Sequence, residues 1–110
     1  MATGGMMKNL EDPRIPGLQT ALDPDAVMQL VVDNFPEFRE GFQALEARVI
    51  DVQYKPGMQC RILYRLKFRI PDAYRSRRQE IIIDALPAGE APVTISQDLL
   101  ARYNTYKGRH

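Results

Sequence analysis

The chain has 110 residues, 45% of them hydrophobic and 26% charged, the balance of a globular protein at single-domain length, and its formal net charge is only +1. A domain of this size buries roughly 60 to 70% of its unfolded surface, enough to fold alone with little stability to spare. The lone cysteine, Cys60, excludes an internal disulfide framework and leaves no Cys/His cluster for zinc, and no apolar run reaches the roughly 18 residues of a membrane span.

The opening MATGGMMKNLEDP lacks the charged and apolar regions of a signal peptide, so the expected setting is cytoplasmic, with no membrane partner. Residues 1–20 are rich in Gly, Pro and Met without a period. They read as a flexible lead-in that carries no chemistry, leaving residues 21–110 as a single α+β domain. In LDPDAVMQLVVDNF, Asp23 is placed to cap a helix, with Pro24 at its first position and Asp25 in its first turn. Val27, Leu30, Val31 and Phe35 follow at helical spacing. Pro36 ends or kinks that helix, and PEFREGFQAL is expected to form a second short one with Phe38, Phe42 and Leu45 inward.

Strand signals come next. In EARVIDVQY the apolar face is Ile50, Val52 and Tyr54. In the following run Cys60, Ile62, Tyr64, Leu66, Phe68 and Ile70 alternate with Arg61, Arg65, Lys67 and Arg69, with Leu63 the exception. Between the two, KPGM supplies Pro56 to fix φ and Gly57 to take positive φ, the needs of a type II turn. After the polar DAYRSRRQ, the run EIIIDAL suggests a third strand, central and covered on both faces. Finally VTISQDLLARYNTYKG reads as a C-terminal helix, with Thr94 and Gln97 as a capping box or Ser96 as a competing cap, and Gly108 at its end. The expected fold is therefore α+β, with N-terminal helices, a three-stranded antiparallel sheet and a C-terminal helix.

Charge is distributed unevenly. Lys55, Arg61, Arg65, Lys67, Arg69, Arg75, Arg77 and Arg78 face the single acid Asp72 between residues 55 and 79, a net +7 that leaves −6 elsewhere. Two readings stay open: a solvated sheet face whose charges discourage edge-to-edge pairing, or an anion site using Arg61, Arg65, Lys67, Arg69, Arg75, Arg77 and Arg78. Nucleic acid is the less favoured anion, because Tyr54, Tyr64 and Phe68 fall on the apolar face rather than among the cations. His110 is the only histidine, and no phosphate-loop or zinc-protease string occurs, so no catalytic residue is assigned.

With Tyr54, Pro56, Gly57, Cys60, Tyr64 and Leu66 spaced as Y-x-P-G-x-x-C-x-x-x-Y-x-L, the stretch from Arg48 to Phe68 resembles the first hairpin of the N-terminal lobe in the aminoglycoside-phosphotransferase-like kinases. The resemblance implies a kinase N-lobe-like sheet over ATP, with Mg held in the complete enzyme and the turn at Lys55, Pro56 and Gly57 lying over the phosphates. It also implies a partner, a C-terminal lobe bearing the metal-binding and catalytic aspartates. The family's third strand presents a lysine to the phosphates, and EIIIDALP has Asp84 and Ala85 there. On this resemblance the chain is a fragment or relic of an ATP-dependent small-molecule phosphotransferase, incomplete as a catalyst. The alternative is a non-enzymatic anion-binding or protein-interaction module using the basic hairpin face.

Overall fold

The alternation of residues 59–69 becomes a strand with one buried and one open face. The protein is described by a computed structural model over residues 10–95. In chain order these form α1 (Leu18–Ala21), α2 (Pro24–Asn34), a 3-10 turn (Pro36–Arg39), β1 (Gln43–Lys55), β2 (Gln59–Arg69), β3 (Ser76–Ala85) and β4 (Val93–Ile95). The strands make one antiparallel sheet in the order β1-β2-β3-β4. The class is α+β, as the sequence indicated, with four strands where three were expected. None of the described helices is long and apolar enough to cross a membrane.

One face of the sheet carries the core. Cys60, Ile62, Tyr64, Leu66 and Phe68 of β2 and Ile81, Ile83 and Ala85 of β3 are buried against Ile15, Leu18, Ala21, Val27, Val31 and Phe38 of the helical layer. Arg61, Arg65 and Arg69 are exposed on the other face, because successive side chains on a strand point to opposite sides. The buried Tyr64 hydroxyl donates to the Ala21 carbonyl at 2.7 Å, so its polar end is satisfied and it pins α1 to the sheet. At one end Phe68 stacks on Phe42 with centroids 6.0 Å apart, and Phe38 meets Phe68 edge-on at 6.2 Å.

Helix α2 starts as its sequence requires. Asp23 accepts from the Asp25 amide at 3.0 Å and Pro24 opens the helix. The second helix does not form: only Pro36–Arg39 turns, and β1 begins at Gln43. Phe38 is buried and Phe42 half-buried, but Leu45 is exposed. The reason is a register shift between Ala44 and Glu46, which leaves Leu45 unpaired. A second shift between Val49 and Asp51 does the same to Ile50, so Ile50 leaves the apolar face expected of it while Val52 and Tyr54 keep theirs.

The third strand also differs. It starts at Ser76 rather than Glu80, taking Arg77 and Arg78 into the sheet, and only one face is buried: Ile81 and Ile83 lie in the core while Ile82 is half-buried opposite Leu63. Thr94, expected to cap a helix, sits in β4; the rest of the expected C-terminal helix lies outside the described residues.

Residues 10–20, expected to belong to a flexible lead-in, are packed, and residues 1–9 lie outside the described residues. Asp12, Ile15, Gly17 and Leu18 are buried, and α1 begins at Leu18. A Cβ on Gly17 would lie 2.6 Å from the Pro92 carbonyl oxygen, so the segment packs backbone to backbone on the loop before β4.

Candidate functional site

The β1–β2 turn has the conformation its residues demand. Gly57 has φ +70°, and the Met58 amide donates to the Lys55 carbonyl at 2.9 Å across Pro56 and Gly57. Lys55 and Pro56 are exposed at this tip.

The Gly57 amide already has a partner. It donates at 2.7 Å to Oδ2 of Asp12, which also accepts from the Tyr54 hydroxyl at 2.8 Å. The other oxygen, Oδ1, accepts from the Arg14 amide and from Arg14 Nε, both at 3.0 Å. The Asp12 side chain is 1% exposed although its guanidinium partner is 67% exposed. The Arg14 guanidinium, then the Gly57 amide and the Tyr54 hydroxyl hold the Asp12 carboxyl well below the usual carboxylate range. Conversely, the hydrogen bond to Asp12, followed by burial, raises the Tyr54 phenol.

Sequence reasoning missed Asp12 and Arg14, and it read Tyr54 as an apolar-face residue and as the start of the Y-x-P-G run, not as a hydrogen-bond donor to a carboxylate. The carboxylate and the turn are 45 positions apart, beyond any local period. EDPRIPG signals only a local turn: the Ile15 amide donates to the Asp12 carbonyl at 2.9 Å across Pro13 and Arg14, which folds Arg14 back onto the Asp12 carboxylate.

The cations separate into distinct groups. Arg61 lies opposite Asp84 and Arg65 opposite Glu80 on neighbouring strands, and both pairs close, at 2.9 and 3.2 Å. Asp84, at the position expected to hold a lysine, is thus the carboxylate partner of Arg61. Lys67, Arg69, Arg75, Arg77 and Arg78 gather at the far end of the β2–β3 hairpin and make no ion pair among the described residues. They do not share a plane: Lys67 pairs with Arg78 on the outward face, while Arg77 lies opposite Phe68, on the core side of the sheet. From Gly57 to Arg69 runs the whole of β2, 11 residues. At about 3.4 Å per residue this puts the turn and the far cations about 35 Å apart, too far to grip one phosphate chain together.

Cys60 is fully buried under the sheet, and burial, with a smaller contribution from the charge of Asp84, pushes its thiol up to about 11. No group of three or more His, Cys, Asp or Glu side chains among the described residues could hold a metal ion. The residues present therefore do not fit bound ATP with Mg as the resemblance implies: the turn amide is occupied by a carboxylate, and Asp84 stands in place of the lysine.

No family model, no curated protein and no solved structure matches the chain.

Proposed function

We propose that the chain is an N-lobe-like portion of a small-molecule phosphotransferase, a fragment or relic that does not transfer phosphate by itself. The observation that carries this reading is the Tyr54-to-Leu66 hairpin: Pro56 and Gly57 form a type II turn while Cys60, Tyr64 and Leu66 all sit in the core beneath it. A solvated basic hairpin has no need of that particular set of buried residues together with that turn. Phosphoryl transfer requires metal-held phosphates and a residue that positions the acceptor, and neither constellation occurs among the described residues. The complementary lobe, with ATP and Mg, would come from a partner segment or chain.

The test is the nucleotide sequence that follows this one at its locus. A reading frame that continues into an H-x-D-x-x-x-x-N-like motif supports the proposal, and one that continues into an unrelated domain overturns it.

A second reading, an anion-binding or protein-interaction module, is favoured by one observation: the five cations at the β2–β3 end lack carboxylate partners among the described residues. That reading requires detectable binding to heparin or RNA at low salt, falling steeply as salt rises. The pairing of Arg61 with Asp84 and of Arg65 with Glu80 removes two of its expected contacts.

A further inference from the structure

Donors from two separate parts of the chain converge on a single carboxylate at the hairpin tip. The Gly57 amide and Tyr54 hydroxyl approach Asp12 Oδ2 at 2.7 and 2.8 Å. The Arg14 amide and Nε approach Oδ1 at 3.0 Å, and Arg14 Nη2 reaches Oδ2 at 3.3 Å. To such donors a carboxylate and a phosphoryl group are alike: both offer anionic acceptor oxygens, and a guanidinium engages either through two parallel bonds. A glycine at positive φ lets this turn bring its amide close to an anion.

The backbone that carries the carboxylate is anchored independently of it. Downstream of Asp12 the chain is anchored without it. The Arg14 carbonyl accepts from the Ala88 amide at 3.1 Å, and Ile15 and Leu18 are each 1% exposed. Upstream, Leu10 packs half-buried against the core with its carbonyl accepting from Gln19 Nε2, Glu11 is exposed, and the Asp12 carbonyl accepts from the Ile15 amide at 2.9 Å. Rotation of the Asp12 side chain out of the cradle breaks only the bonds to its own carboxylate and leaves the backbone turn and the core layer in place.

We propose that Gly57, Tyr54 and Arg14 form an oxyanion cradle for a phosphoryl group, and that Asp12 is a plug in cis that occupies it. This rests on the reading of the turn as a phosphate-facing loop: while Asp12 is in place, the Gly57 amide is engaged by its carboxylate. The ligand class is a phosphate monoester, polyphosphate or inorganic phosphate.

The test follows backbone amide resonances of the full chain, wild type and Asp12→Ala, during titration with inorganic phosphate and, separately, tripolyphosphate. The expected result is a shift of the Gly57 amide in Asp12→Ala, with affinity at least about tenfold above wild type, and loss of that gain when Arg14→Ala is added. A folded Asp12→Ala chain whose Gly57 amide ignores both anions overturns the proposal, as does undiminished binding in the double variant. Should Asp12→Ala fail to fold, Asp12→Asn keeps the shape and removes the charge, and it is read in the same way: a Gly57 shift with either anion supports the cradle, and none overturns it. Because neither probe contains a nucleoside, binding of tripolyphosphate without any preference for ATP upholds the cradle even where the kinase reading fails.

Discussion

Asp12 and Gly57, 45 positions apart, are joined by a 2.7 Å hydrogen bond from the glycine amide to the aspartate carboxylate. This bond fastens the N-terminal segment to the hairpin tip and gives the fold a pH dependence. The Asp12 carboxyl is depressed in the folded state, chiefly by the Arg14 guanidinium. Its contribution to stability is therefore complete above the unfolded carboxylate pKa of about 3.9 and is lost as pH falls below it toward the folded value. Wild type should lose stability more steeply than Asp12→Asn between about pH 4.5 and pH 2, with the two chains converging in acid. Denaturant midpoints at several pH values check this, and parallel curves would show that the bond adds nothing.

Gly57 is constrained twice. Its φ is +70°, and an added Cβ would lie 2.7 Å from Arg14 Nη1. Gly57→Ala should cost about 1 to 2 kcal/mol from the left-handed backbone alone. The clash should also loosen Arg14, a long exposed side chain that can move aside, and so expose the Asp12 carboxylate. Urea unfolding measures the cost, and proton titration of Asp12 reports the loosening as a pKa moved back toward the ordinary range.

Phe68 is 1% exposed, between Phe38 and Phe42. Phe68→Ala should destabilise by about 3 to 5 kcal/mol, a large fraction of what a domain of this size possesses. Arg69→Ala, one residue along on the open face, should change stability by less than about 0.5 kcal/mol. Equal costs at the two positions would mean that the strand's facing is wrong.

Cys60 has no exposure, and its thiol is pushed up to about 11, first by burial and then by Asp84. Native protein at pH 8 should therefore resist thiol-specific labelling, with reaction appearing only as denaturant unfolds the chain. Fast stoichiometric labelling of the folded protein would contradict this.

Legibility in the sequence followed the range of the interactions. Strand β2, its Pro-Gly turn and the start of α2 were readable because alternation, positive φ at glycine and helix capping are decided within a few residues. The second helix was misread because Phe38, Phe42 and Leu45 match helical spacing, whereas Ala44–Leu45 and Val49–Ile50 are consecutive apolar pairs of the kind a bulge leaves. Asp12 was not legible, since nothing local marks a carboxylate whose partners lie 42 and 45 positions away. The pairing of Arg61 with Asp84 was hidden for the same reason: it depends on the β2–β3 register, and without it the basic segment reads as more cationic than its surface is.

The proposal is that the hairpin turn, once Asp12 is removed from it, takes a phosphoryl group in preference to the cationic far end of the sheet. Amide resonances of Asp12→Ala followed along the whole of β2 during titration with tripolyphosphate test it most directly, because the two regions lie at opposite ends of that strand. The expected result is movement of Lys55, Gly57 and Met58 while Arg69, Arg77 and Arg78 stay still. Movement confined to Arg69, Arg77 and Arg78, with the turn unaffected, would contradict the account and establish the basic end as the anion site.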